Sequence, residues 1–222
     1  MSRNKYPEET VSRILEVSLR LFMEKGYENT SIQDIIDGLG GLTKGAIYHH
    51  FKGKDDIMLA VIDRLYASHD AGWRKLTSAD CKLNGLEKLR ELYRISLDHP
   101  GQMEMFSTAP NLLNSPKMLA LQVHGIFEES VPHYVLPIIE QGIADGSICT
   151  DYPKQLAEVL QLLINMWLTP MVYFAEPEEM AKRARLSRQM MLGLGLDLLD
   201  EEMMERLDAL CRVYSEKKNK HK

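Results

Sequence analysis

Residues 43–54 gather hydrogen-bond donors and cations into one short stretch: Thr43, Lys44, Tyr48, His49, His50, Lys52 and Lys54, interleaved with Gly45 and Gly53. On a helix turning about 100° per residue, Lys44, Gly45, Tyr48, His49 and Lys52 share an arc of roughly 140°, while Ala46, Ile47 and His50 fall on the other side. The polar side carries the chemistry of phosphate and base-edge contact. Lys44 offers a cation and donors to phosphate or guanine, and Gly45 removes a side chain where a helix start must come close to a backbone. Tyr48 presents a hydroxyl on a rigid ring, and His49 can donate to phosphate. Lys54, with the free amides around it, marks another helix N-terminus and therefore an anion site. Thr30 stands at a further helix start with the same pairing of hydroxyl and amides.

Other chemistries find less support. His49 and His50 are adjacent, so on a helix they point about 100° apart and suit a single metal poorly. No G-x-S-x-G, HExxH or phosphate-loop motif occurs, and the adjacent carboxylates Glu128-Glu129 and Glu178-Glu179 read as solvated faces. No catalytic residue, cofactor or metal site is expected.

A short reading face needs helices behind it, and the periodicity supplies them. Val11, Ile14, Leu15, Ser18, Leu21 and Phe22 recur at three- and four-residue spacing, and Gly26 follows Lys25 as a natural stop. Thr30-Ser31-Ile32-Gln33 matches a capping box with Thr30 at the N-cap. A second stripe runs through Ile32, Ile35, Ile36 and Leu39, and Gly38, Gly40 and Gly41 mark a turn. Thr43 caps a third helix, Lys44–Phe51, which Gly53 breaks. A fourth begins near Lys54 and continues toward Trp73, with Asp55 and Asp56 at its positive end. Helices are then expected over 86–98, 101–110, 116–144, 154–174, 177–193 and 200–217, with Thr77–Asn84 as a loop. Pro132 and Pro137 should kink or split the 116–144 segment, and the tail Glu216–Lys222 should fray. No strand pattern or repeat is seen. The fold class is all-α, with a helix-turn-helix domain at 1–54 and a larger helical domain at 55–222.

The chain has 222 residues and a net charge of −5. Residues 1–54 hold 8 Lys/Arg against 7 Asp/Glu, leaving 19 against 25 for 55–222, so the relatively basic part is the N-terminal one. Any contact with DNA belongs there, since phosphate binding needs local positive potential. No apolar run reaches the roughly 18 residues of a membrane span. No secretory h-region is found at the start. The cysteines, Cys81, Cys149 and Cys211, are far apart and read as free thiols, all of which points to the cytoplasm.

The run Gly41-Leu42-Thr43-Lys44-Gly45-Ala46-Ile47-Tyr48-His49-His50-Phe51-Lys52-Gly53-Lys54 resembles the signature of the TetR family of bacterial transcription regulators. Lys25-Gly26-Tyr27-Glu28-Asn29-Thr30-Ser31-Ile32 and Asp34-Ile35-Ile36 fit that family's junction between the first two helices, and the resemblance spans about residues 8–65. The turn Gly38-Leu39-Gly40-Gly41-Leu42 is one residue longer than the commonest family form. The resemblance implies a homodimeric repressor that binds double-stranded operator DNA and responds to a small-molecule effector. It implies DNA contacts from Thr30, Thr43, Lys44, Gly45, Tyr48, His49, His50 and Lys54, with Tyr48 and Lys54 touching mainly phosphate and Lys44 and Gly45 nearest base edges.

Gln141-Gly142-Ile143-Ala144-Asp145-Gly146, followed by Asp151 and Pro153, is similar to the family's junction between its seventh and eighth helices. Dimerisation is expected from the 154–174 helix together with one of the last two helices. The effector is expected to be mostly apolar, because methionine lines adaptable cavities. Met103, Phe106, His124, Phe127, Met166, Trp167 and Met171 are the expected lining. Plain core packing competes with that role at each position, as an enzyme or an effector-free regulator competes with the whole reading.

Overall fold

Glu8 and Glu9 open the first helix and Lys25 closes it, each charge at the end of the dipole that favours it. The computed structural model describes residues 7–78, 80–98, 112–114 and 116–220. The helices in chain order are α1 (Pro7–Lys25), α2 (Ile32–Leu39), α3 (Lys44–His50), α4 (Lys54–Thr77) and α5 (Gly85–Asp98). A 3-10 turn, Leu112–Asn114, precedes α6 (Pro116–His124), a π-helical stretch (Gly125–Val135) and α7 (Leu136–Asp145). Then come α8 (Pro153–Leu162), a second π-helical stretch (Leu163–Trp167), α9 (Pro177–Gly193) and α10 (Glu201–Lys220). Among the described residues there is no strand, and no helix is long and apolar enough to cross a membrane. The expected 101–110 helix lies outside the described residues.

The chain divides into two units, Met1–Ser68 and His69–Lys222. The division therefore falls inside α4 rather than ahead of it at residue 54. The cause is burial: Ile57, Met58 and Val61, in the first turns of α4, are almost wholly enclosed.

In the first unit the stripe of α1 buries Ile14, Ser18 and Phe22. Gly26, at φ +84°, ends the helix in the left-handed conformation that glycine adopts without strain. The start of α2 differs from expectation. Its N-cap is Ser31, whose hydroxyl accepts from the Asp34 N–H at 3.1 Å, while the Asp34 carboxylate accepts from the Ser31 N–H at 2.8 Å. Thr30 lies one residue earlier, and its hydroxyl donates to the Gly26 and Leu21 carbonyls at 2.8 and 3.2 Å. The capping box is thus Ser31–Asp34, because only Ser31 has an acidic partner three residues on. Gly38 is not a turn residue either: it lies within α2, where a β-carbon would stand 2.8 Å from Val17 Cγ1. The turn itself rests on Gly40 and Gly41, at φ +59° and +125°.

The second unit is a layered helical core built from α5, α7, α8 and the π-helical stretches, around Leu89, Leu92, Val135, Ile138, Ile139, Ala157 and Leu160. Pro132 neither breaks nor sharply splits its helix. The chain runs on in π geometry through Gly125–Val135 and continues directly into α7, whose second residue is Pro137. The 154–174 helix is shorter than expected. It ends at Leu168, ahead of Thr169-Pro170, because the residue before a proline is driven out of the helical region. At the C-terminus, α10 continues to Lys220 where fraying was expected from Glu216.

Candidate nucleic-acid interface

Thr43 begins the candidate face. Its extended backbone and its hydroxyl, which accepts from the Ala46 N–H at 3.3 Å, start α3 as a true N-cap. Ile47 is fully buried and anchors the back of the helix, and Phe51, also buried, ends it as an extended C-cap. With that back fixed, Thr43, Lys44, Gly45, Tyr48 and His49 are all exposed, Tyr48 at 47 %. Ala46 and His50 are half-buried, as the helical wheel requires. The His49 and His50 rings meet edge to face at 5.0 Å between centroids rather than converging on a shared point. Among the described residues no group of three or more His, Cys, Asp or Glu side chains is placed to hold a metal ion.

Two expected contact residues have their side chains engaged within this unit. Thr30 is 1 % exposed, and its hydroxyl is committed to the end of α1, so the side chain is not on the face that α3 presents. Lys54 is half-buried and turned back toward the α1–α2 turn. Its ammonium donates to the Tyr27 carbonyl at 2.8 Å and stands 4.2 Å above the centre of the Tyr27 ring. The Tyr27 hydroxyl donates in turn to the Asp55 carboxylate.

Other charges in this unit brace the scaffold. Arg13 donates to the Leu39 carbonyl at 2.9 Å, capping the C-terminal end of α2. Lys25 pairs with Asp34 at 2.7 Å. That lysine, followed by Ser31, holds the Asp34 carboxyl well below the usual carboxylate range. Arg64 donates to Ser12 at both its carbonyl and its hydroxyl. Sequence reasoning missed Tyr27, Asp55 and Arg13. The available signal was an aromatic residue directly after a helix-ending glycine, a position that packs back on the helix it follows.

The described residues among those expected to line an effector pocket lie in different surroundings. Met103 and Phe106 lie outside the described residues. His124 and Phe127 are exposed, Phe127 at 38 %. Met166 packs against the main core of the second unit, whereas Trp167 packs against a separate cluster around Leu168, Met180 and Cys211. Met171 is buried, with its carbonyl accepting from the Leu112 N–H at 2.7 Å. The structure instead gathers polar groups that sequence reasoning missed. Ser130 Oγ and Asn165 Nδ2 both donate to Gln161 Oε1, at 3.1 and 2.8 Å, inside a largely apolar core. Tyr93 is buried in the same unit, and that burial pushes its hydroxyl above the ordinary phenol range. Gln161 and Asn165 are one turn apart on one continuous helix, whereas Ser130 and Tyr93 come from other helices, so nothing in the composition marks the set.

Comparison with known proteins agrees with this geometry. The family described as bacterial regulatory proteins, tetR family, matches residues 14–61. The chain is 34 % identical over 151 residues to the transposon Tn10 TetC protein of Escherichia coli, spanning 66 % of this chain and 70 % of that protein. It is 38 % identical over 85 residues to the probable HTH-type transcriptional regulator ArpR of Pseudomonas putida, spanning 38 % of this chain and only 40 % of that relative's length. A solved TetR-family regulator from Agrobacterium tumefaciens has the same fold, with a TM-score of 0.59 at 21 % identity, over 85 % of this chain and 98 % of the other.

Proposed function

The chain belongs to the tetR family of bacterial regulatory proteins, and from that premise we propose that it is a transcription repressor that binds double-stranded operator DNA as a homodimer and leaves it when a small, mostly apolar effector binds. One observation carries the reading. α3 buries Ile47 and exposes Thr43, Lys44, Gly45, Tyr48 and His49 together, giving a short helix with a packed back and a polar front of the size that enters a major groove. His50 stands at the edge of that face.

Dimerisation is supported by apolar side chains left uncovered. Leu186 and Met190, one turn apart on α9, are 48 % and 50 % exposed, and Val159 on α8 is 52 % exposed. On α10, by contrast, Met203, Leu207, Leu210 and Tyr214 are buried. This favours α8 and α9 over α10 as the dimer faces. A two-fold dimer would set two copies of α3 about one helical turn of DNA apart. The effector part of the reading is supported by the buried Ser130 and Gln161 and the half-buried Asn165, which lie in or beside two π-helical stretches, a geometry that recurs at functional sites. A regulator of chromosomal genes works in the cytoplasm, with which three free cysteines agree.

The test is selection of bound duplexes from a random-sequence pool, followed by anisotropy titration of the selected duplex with wild type, Lys44→Ala and Tyr48→Ala. The expected result is a palindromic consensus and weaker binding by both folded variants. Unchanged affinity in both would remove α3 as the reading element.

A further inference from the structure

Gln161, near the end of α8, has its side-chain amide locked in one orientation. Its Oε1 accepts from Ser130 Oγ at 3.1 Å and from Asn165 Nδ2 at 2.8 Å, and Asn165 Nδ2 also donates to the Gln161 carbonyl at 3.0 Å. An amide oxygen has two lone pairs, so both are used and Nε2 is left on the other side as a donor. The Tyr93 hydroxyl, from α5, lies against this side chain. Tyr93 is 3 % exposed, yet among the described residues its hydroxyl has no hydrogen-bond partner. Gln161 cannot take the hydroxyl proton, because Oε1 is occupied and Nε2 is itself a donor. Buried hydroxyls are ordinarily paired, so an unpaired one in the core points to a partner that is not part of the fold.

We propose that Tyr93 Oη and Gln161 Nε2 together hold one acceptor oxygen of a ligand that enters this core, and that the ligand is a neutral, mostly apolar molecule carrying a carbonyl, as in a ketone or lactone. This rests on the effector reading above and names the chemistry of the effector. Two donors beside one another suit a carbonyl oxygen, whose two lone pairs each take one hydrogen bond. Leu89, Leu92, Val135, Ala157 and Leu160 of the same core supply the apolar surroundings. A hydrocarbon would leave both donors unpaired. Among the described residues no lysine or arginine bonds to Tyr93, Ser130, Gln161 or Asn165, so a carboxylate would bury its charge unpaired. Ser130 and Asn165 are positioning residues that act through Gln161. Each lies in one of the two π-helical stretches, and both stretches thus converge on a single amide.

The test uses the full-length protein and probes of similar size: 2-nonanone, γ-nonalactone and nonanoate. Calorimetric titration is expected to show binding of the ketone and the lactone, with nonanoate weaker by about tenfold or more. Tyr93→Phe should weaken both carbonyl probes by about tenfold, the loss of one hydrogen bond, and leave nonanoate unchanged. A second readout needs no ligand. Tyr93→Phe should keep or raise the urea midpoint, since its hydroxyl has no partner in the fold to lose, whereas Ser130→Ala should lower it. Equal affinity of wild type and Tyr93→Phe for the carbonyl probes, no binding of either, tighter binding of nonanoate, or a lowered midpoint in Tyr93→Phe each overturns the inference. Carbonyl binding that leaves the selected duplex bound is a different result: the contact stands, and the effector part of the reading above falls.

Discussion

Gly85 and Gly142 meet backbone to backbone: a β-carbon on Gly85 would lie 2.2 Å from the Cα of Gly142 and 2.3 Å from its nitrogen. This contact seats the start of α5 on α7. Around it, the Gly85 N–H donates to Asp145 at 2.8 Å, the Leu86 N–H to Ser147 at 3.1 Å, and Lys88 to Gln141 at 2.7 Å. The residues 141–146 that mark a helix junction in the sequence, together with Ser147, are therefore the receptor for the N-terminus of α5.

Gly85→Ala should destabilise the protein by about 3 kcal/mol or more, since the new methyl meets backbone that cannot move aside. Gly142→Ala should cost less, about 1–2 kcal/mol, because its β-carbon meets side-chain atoms of Ile148, Cγ1 and Cδ1 at 2.6 Å and Cβ at 3.0 Å, rather than backbone. Urea denaturation of the two variants gives the ranking, and the reverse order would be inconsistent with this contact.

Asp145 should make stability depend on acid. Its carboxyl is held below the usual range by the Ser147 hydroxyl and then by the Gly85 N–H. A carboxyl whose folded-state value is lowered contributes stability above its unfolded value of about 4, and the contribution is lost as pH falls through the folded value. Asp145→Asn should therefore lower the urea midpoint at neutral pH, and the gap from wild type should narrow below about pH 4. A gap that stays constant with pH would show that the carboxylate charge is not involved.

Gly45 separates folding from binding. A β-carbon there would meet only Thr43 Oγ1, at 3.8 Å, so Gly45→Ala should leave stability unchanged or raise it by up to about 1 kcal/mol. The same methyl stands on the exposed start of α3 and should weaken duplex binding. Thermal melting and anisotropy on one sample check both halves, and binding equal to wild type would remove Gly45 from the interface.

Thr30 and Thr43 should behave oppositely. Thr30→Val removes a buried hydroxyl bonded to two carbonyls and should cost about 1–2 kcal/mol, with the affinity of the folded protein unchanged. Thr43→Ala removes an exposed cap and should cost about 1 kcal/mol, with affinity lowered as well. Equal affinity losses in the two would mean that Thr30 is exposed to DNA.

Leu186→Glu should convert a dimer to a monomer in sedimentation experiments, whereas Leu207→Glu, at a buried position of α10, should destabilise the fold instead. Retention of the dimer by folded Leu186→Glu would move the interface away from α9.

The stretch from residue 43 to residue 51 was legible because its determinants are local. A threonine cap, a glycine near the helix start and one apolar residue at Ile47 fix which side faces inward, and periodicity alone gives that direction. The same local logic placed α1, α9 and the chain turn at Gly26 closely. It misplaced the cap of α2 by one residue, since Thr30 and Ser31 are both good caps and only the reach of Asp34 decides between them. The 154–174 span is cut short in the structure because Pro170 drives Thr169 out of the helical region.

What the sequence alone determined, then, is the helical class, the exposed polar face of α3 with its buried back, and the relatively basic character of the N-terminal segment. The tertiary structure decided the engagements that join distant residues: Lys54 to Tyr27, Gly85 to Gly142, and Ser130 to Gln161. The reason is physical. A lysine reads the same in sequence whether its ammonium is solvated or bonded to a carbonyl. Only the packing of other helices around it fixes which partner it reaches, and so whether its charge remains available to a ligand.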